Sequence, residues 1–232
     1  TLIALADPLD LDRDGVSGRA GLVEDLATGE VRVGRFGWKS QHATLIAFGA
    51  DAYRNEMGIT SDLFPEEQSH GIPPELMRLC DPLPDPEDAP EPGTGRRGID
   101  NFASFMQFLA PIARGPVDDQ VLMGQQVFDD VGCDTCHVPM LQTGASSNPL
   151  FHQRPVPLYS DLLLHDVGTG DGIGQAPAAP NEVRTPALWG LRFRRPLLHD
   201  GRAATVSDAI EAHAAEAAGA RAAYDGLDPS SR

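Results

Sequence analysis

The sequence predicts a mainly α fold whose helices are joined by long irregular loops. Three observations carry that expectation. The chain has 2 Trp, 3 Tyr and 9 Phe against 24 Gly and 20 Pro, a balance that suits a modest number of helices and much connecting chain. Apolar residues recur at helical spacing in separate windows, and Thr205-Val-Ser-Asp208 has the form of a capping box. At 232 residues the chain is one large domain or two small ones, long enough to bury a core without disulfide staples.

In chain order, residues 1–60 read as loop, then an Arg/Gly-rich turn, then a helix over His42–Arg54. Asp81–Gly95, with five prolines and five acidic residues, has linker composition. Asn101–Ile112 follows as a helix that Asn101 can cap, with Phe102, Phe105, Leu109 and Ile112 on one face. Asp118 or Asp119 can cap the next helix, whose Val121, Gly124, Val127, Phe128 and Val131 share a face until Gly132 stops it. Residues 138–204 read as mostly irregular, and the helix opened by Thr205 is expected to run to about Tyr224. A boundary near Gly115 divides the chain into 1–115 and 116–232.

Acidic residues outnumber basic ones 34 to 18, for a net charge of −16. Such a field repels nucleic acid and anionic membranes and favours a basic redox partner or bound cations. No apolar stretch approaches the roughly 20 residues of a membrane span. No signal peptide is visible, and the opening Thr1 in place of Met suggests that the true start lies upstream.

Only Cys80, Cys133 and Cys136 occur, which excludes a disulfide scaffold. Cys133-Asp-Thr-Cys136-His137 is the strongest signal in the chain. Two thiols separated by two residues can reach the two vinyl groups of one haem, and the following His can swing beneath the iron. A zinc site would need four ligands, with only Cys80 and a distant His to complete it. A thioredoxin-type pair would need a βαβ setting, which is absent. The motif therefore points to one covalent c-type haem held by Cys133 and Cys136, with His137 as axial ligand, and to a periplasmic or otherwise exported protein. Gly124 and Phe128 lie one helical turn apart just upstream, an arrangement similar to the first helix of cytochrome c domains, where the glycine admits a crossing helix.

Longer stretches carry a family resemblance. Glu182-Val-Arg-Thr-Pro-Ala-Leu-Trp-Gly-Leu191, Pro196-Leu-Leu-His-Asp-Gly-Arg202 and Thr205-Val-Ser-Asp-Ala-Ile210 resemble the C-terminal haem domain of bacterial di-haem cytochrome c peroxidases. Asp10-x-Asp12-x-Asp14-Gly15-x-Ser17-Gly18-Arg19, Gly34-Arg-Phe-Gly-Trp-Lys39, Gly58-Ile-Thr-Ser61 and Tyr159-Ser-Asp-Leu-Leu-Leu-His-Asp166 are similar to the peroxidase-like di-haem oxidoreductase branch, also called thiol oxidoreductases. The resemblance covers essentially the whole chain. It implies a cytochrome c-type haem domain over 116–232 and part of a second, similar domain over 1–115. It also implies a second haem whose motif would precede residue 1, and a last helix beyond Arg232.

Other residues gain roles through that resemblance. From the residues alone, His213 is a core histidine on an apolar face with Val206, Ile210 and Ala217. The resemblance puts it where the di-haem peroxidases place the methionine of the electron-transfer haem, fourteen residues after His199, which makes it the sixth iron ligand. Arg202 could pair with a haem propionate or form a surface ion pair. His199 and His165 suit a hydrogen bond around the haem or a structural turn, and Trp38 suits packing or a path between haems. Met140 follows the motif too closely to ligate the iron, while Met106 and Met123 read as core. Asp10, Asp12, Asp14 and Gly15 copy the start of a calcium loop, although Gly21 stands where an EF-hand needs an acid; calcium or an acidic surface turn both fit. Gly168–Gly174 lacks a following helix and reads as a loop, and Cys80 as a buried or unpaired thiol.

The implied function is a peroxidase-like di-haem oxidoreductase. The haem of this chain would relay electrons from a donor protein or small molecule to a second haem that reduces hydrogen peroxide. The alternatives are an electron-transfer cytochrome without substrate chemistry and an interaction subunit with a relic haem.

Overall fold

A computed structural model describes residues 2–68, 70–80, 82 and 85–229. The mainly α expectation is corrected: helical turns of every kind make up 32% of the described residues and extended pairings 11%. Glycine and proline cause this. Over residues 138–204 they prevent a helix from propagating, and the backbone is satisfied by turns and two-residue pairings.

The helices are α1 (Leu45–Ala52), α2 (Pro74–Cys80), α3 (Gly98–Gln107), α4 (Asp119–Asp130), α5 (Val206–Glu211) and α6 (Ala218–Asp225). Among the described residues three antiparallel pairs accompany them: β1 (Leu22–Asp25) with β2 (Glu30–Val33), β3 (Leu141–Gln142) with β4 (Pro155–Val156), and β5 (Leu164–His165) with β6 (Val183–Arg184). The β1–β2 hairpin stands where only a turn was expected. Its signal was present: Val31 and Val33 alternate with polar residues after Thr28-Gly29, and Gly29 takes a φ of +71°.

Three expected helices change their limits. The one expected over His42–Arg54 begins at Leu45, where Thr44 caps it, and passes after Ala52 into a π turn, Tyr53–Met57. α3 starts three residues before Asn101 because Asp100 reaches back to accept from the Arg97 N–H at 2.9 Å. It ends at Gln107, so Leu109 and Ile112 lie beyond it and are exposed, as is Phe105. Phe102 alone of that face packs inward, against Tyr53 at 5.4 Å between ring centres.

The helix expected from Thr205 to Tyr224 is broken. The capping box forms, with Thr205 Oγ1 accepting from Asp208 N at 3.1 Å and Asp208 Oδ2 accepting from Thr205 N at 2.9 Å. The helix then stops at Glu211, and Ala215 adopts a φ of +47°. Ala214 N donates instead to Val167 O (2.9 Å) and Glu216 N to Asp166 O (3.1 Å). Tertiary hydrogen bonds here override alanine's helix propensity.

Contacts cross position 115 freely. Arg19 pairs with Glu182, Lys39 Nζ donates to Glu182 O at 2.7 Å, and Arg184 N donates to Trp38 O at 2.8 Å. No helix among the described residues is long and apolar enough to cross a membrane.

Candidate haem site

Asp118 caps α4 by accepting from Val121 N at 2.9 Å, and the helix delivers Phe128 and Val131 to one wall of a cavity of about 640 Å³. Gly132 ends the helix with a φ of +80°, a value that a side chain would strain. The chain then enters a 3₁₀ turn, Cys133–Thr135, and His137 N donates to Cys133 O at 3.0 Å. This tight turn puts Cys133, Cys136 and His137 together on the cavity wall. Cys133 and Cys136 form no disulfide, and burial, with Asp134 and Cys136 adding negative charge, pushes the Cys133 thiol up.

The His137 ring is oriented from behind. Its Nδ1 lies 3.0 Å from Tyr159 O, so Nδ1 carries the proton and Nε2 keeps its lone pair. Phe128 bears on both Tyr159 and His137, at 5.9 and 6.4 Å between ring centres. Burial pushes His137 down to about 4, helped by nearby His213 and opposed by the Tyr159 carbonyl. The neutral imidazole that a metal requires is thus the resting form.

Val206, Ala209, Ile210, His213 and Ala217 all reach the cavity, so the shared face expected from the sequence survives the break in the helix. His213 lies just past α5, not within a continuous helix, and its Nδ1 sits 2.6 Å from Ala209 O, again leaving Nε2 available. Leu188, Leu191, Pro196 and Leu197 supply further apolar wall. Such a cavity, with two thiols and two oriented imidazoles, fits a large planar apolar group bearing a metal.

His165 also borders the cavity, where both its ring nitrogens take hydrogen-bond partners that the sequence did not identify. Its Nε2 lies 2.8 Å from Asp161 Oδ2 and its Nδ1 2.9 Å from Glu216 Oε2. Burial opposes the charge, but hydrogen bonds to Asp161, Cys136 and Glu216 outweigh it and push His165 up to about 12. Glu216, which continuous helix geometry would place on a different face from His213, therefore borders the same cavity. Its signal was hidden because the helix break that redirects it is tertiary.

The remaining candidates fall in different places. His199 borders the cavity, edge-on to Trp38 at 6.0 Å, and its buried Nε2 has no hydrogen bond. Arg202 bonds to Asp200 Oδ2 (2.6 Å) and Thr169 O (3.1 Å) and does not border the cavity. Asp10, Asp12 and Asp14 bring one carboxylate oxygen each within 4.8 Å of one another. Met123, expected in a core, is 63% exposed, and Cys80 is exposed. A side chain at Gly124 would meet nothing within 4 Å, so no helix crosses it among the described residues.

A family model described as "Di-haem oxidoreductase, putative peroxidase" matches residues 1–232. Comparisons with curated proteins and with solved structures returned no match.

Proposed function

The chain belongs to the di-haem oxidoreductase family, and from that premise we propose that it carries the electron-transfer haem of a peroxidase-like enzyme. The observation that carries this reading is the pair His137 and His213, which border one cavity with Nδ1 of each committed to a backbone carbonyl. Cys133 and Cys136 would hold the haem covalently, and their thioether bonds would keep it attached through each change of oxidation state. The bound haem supplies one-electron chemistry. Nε2 of His137 and of His213 would both hold the iron, and an iron so held by two imidazoles would not offer peroxide a place to bind. The apolar wall from Phe128 to Leu197 excludes water and so favours a stable, slowly exchanging site.

Reaction at this site would also need a side chain to move a proton. Of the two carboxylates within three residues of His213, Glu211 is exposed and does not border the cavity, and Glu216, which does, has both oxygens engaged: Oε1 by Asp166 N and Oε2 by Ser17 N and His165. Hydrogen peroxide would therefore react at a second haem in the full-length, exported protein, fed by a donor suited to an acidic surface. Calcium between Asp10, Asp12 and Asp14 would relieve their mutual repulsion.

Two axial imidazoles also suit a cytochrome that only carries electrons. Peroxide turnover separates the two readings. This chain, loaded with haem, should exchange electrons with small donors and show negligible peroxidase activity, while full-length protein turns over. Equal rates per haem in both would place the reaction within this chain, and no turnover in either would leave the carrier.

A further inference from the structure

The cavity has a basic end. Arg184, on β6, and Arg194 both border it, and neither has a carboxylate within ion-pair distance among the described residues. Other cations nearby are committed: Lys39 to Asp171, Arg19 to Glu182, Arg202 to Asp200, Arg221 to Asp225. In a chain of net charge −16, two guanidiniums without acids on one cavity rim stand out against the prevailing field.

Arg184 is held rigidly. Its N–H donates to Trp38 O at 2.8 Å, its Nε to Gly37 O at 2.9 Å and its Nη1 to Thr185 O at 3.0 Å. Pairing of β6 with β5 sets Arg184 opposite the fully buried Leu164. The guanidinium is thereby aimed, with Nη2 uncommitted. A partly buried cation without an anion is costly, because desolvation is not repaid. Burial accordingly pulls Arg184 down to about 10, more than the charge of Asp161, beyond ion-pair distance, repays, and the charge of Arg194 adds to the strain. The guanidinium of Arg194, exposed at the rim, makes one long hydrogen bond among the described residues, Nη1 to Ala187 O at 3.5 Å.

We propose that Arg184 and Arg194 receive the two carboxylates of the haem, Arg184 at the inner position and Arg194 at the rim. The assignment rests on the haem reading given above. A guanidinium suits a carboxylate better than any other side chain, because two parallel N–H groups match two oxygens. The fixed position of Arg184 would also set which edge of the haem points outward. Arg202, the residue in this segment that sequence reasoning favoured, is already turned to Asp200.

The test uses the haem-loaded chain, with Arg184→Ala, Arg184→Lys, Arg194→Ala and Arg202→Ala. The readouts are the midpoint potential between pH 5 and 8 and the propionate bending bands of the resonance Raman spectrum. Removing a cation beside a haem carboxylate favours the ferric state and lets the carboxylate take up a proton. Arg184→Ala should therefore lower the potential at pH 8, make it fall more steeply with pH, and shift the propionate bands, with the axial-ligand spectrum unchanged. Arg194→Ala should do the same to a smaller degree, and Arg202→Ala should leave the bands in place. If Arg184→Ala fails to fold, Arg184→Lys decides: it should keep the potential but shift the bands, since an ammonium cannot bond through two parallel N–H groups. Unmoved bands in the Arg184 and Arg194 variants, or a shift confined to Arg202→Ala, would overturn the assignment while the haem reading stands. A wild-type chain without haem would overturn both.

Discussion

His165 Nδ1 stands 2.9 Å from Glu216 Oε2, while the opposite ring nitrogen reaches Asp161 at 2.8 Å. Both ring nitrogens can donate only if the ring is charged, so a buried imidazolium is clamped between two carboxylates. The pair joins distant parts of the chain. Glu216 also accepts from Ser17 N and Asp166 N at 2.9 Å, and a side chain at Gly18 would come within 2.3 Å of His165 Cε1. Only glycine lets the 16–19 segment pass this close.

The pH dependence of stability follows from that relationship. His165 is raised from 6.5 to about 12 in the folded chain. Its contribution is complete below about pH 6.5 and drains away as pH rises toward 12, by at most about 1.4 kcal/mol per unit. Glu216 is held low, chiefly by its bond to His165 against the cost of burial, so its share appears above the ordinary carboxylate range and is lost in acid. Denaturant titrations should show Glu216→Ala about 2 kcal/mol less stable at pH 7, because the buried cation keeps only Asp161 and the N–H groups of Ser17 and Asp166 lose their acceptor. His165→Gln should remove the alkaline decline that wild type shows. Parallel pH profiles for the two proteins would contradict the clamped imidazolium.

Covalent attachment through Cys133 and Cys136 has a direct measurement. Denatured protein should keep its haem and give a thioether-type haemochrome spectrum. The Cys133→Ala, Cys136→Ala double variant should release all of it into acidified organic solvent. Release from wild type would end the attachment proposal.

Ligation by His213 is tested by substitution. His213→Met should raise the midpoint potential, by on the order of a tenth of a volt, and add a sulfur-to-iron band, because a thioether favours ferrous iron. His213→Ala should convert six-coordinate low-spin iron to a form open to added ligands. A wild-type spectrum in His213→Ala would return His213 to a packing role.

Calcium at the N-terminal turn predicts a cation-dependent melting temperature. At a hundredfold excess over Kd, calcium should add about 2.7 kcal/mol, a gain absent from an Asp12→Ala, Asp14→Ala variant. A melting temperature indifferent to calcium would mark Asp10, Asp12 and Asp14 as a surface turn.

By itself the sequence determined what is encoded locally. The Cys133–His137 spacing, the Asp118 and Thr205 caps and the stop at Gly132 each depend on residues within a turn or so of one another, and all are in place. The side chains from Val206 to His213 share a face for the same reason. Tertiary structure decided what depends on partners far along the chain. The helix expected to reach Tyr224 breaks because the carbonyls of Asp166 and Val167 capture its N–H groups. That break turns Glu216 toward His165, fifty-one residues away. Arg184 rather than Arg202 faces the cavity because the Gly37–Trp38 turn, about 150 residues earlier, supplies the carbonyls that aim it. Periodicity reports which face a residue occupies, but not which distant donors and acceptors will compete for its backbone, and in a chain this rich in glycine and proline that competition shapes the site.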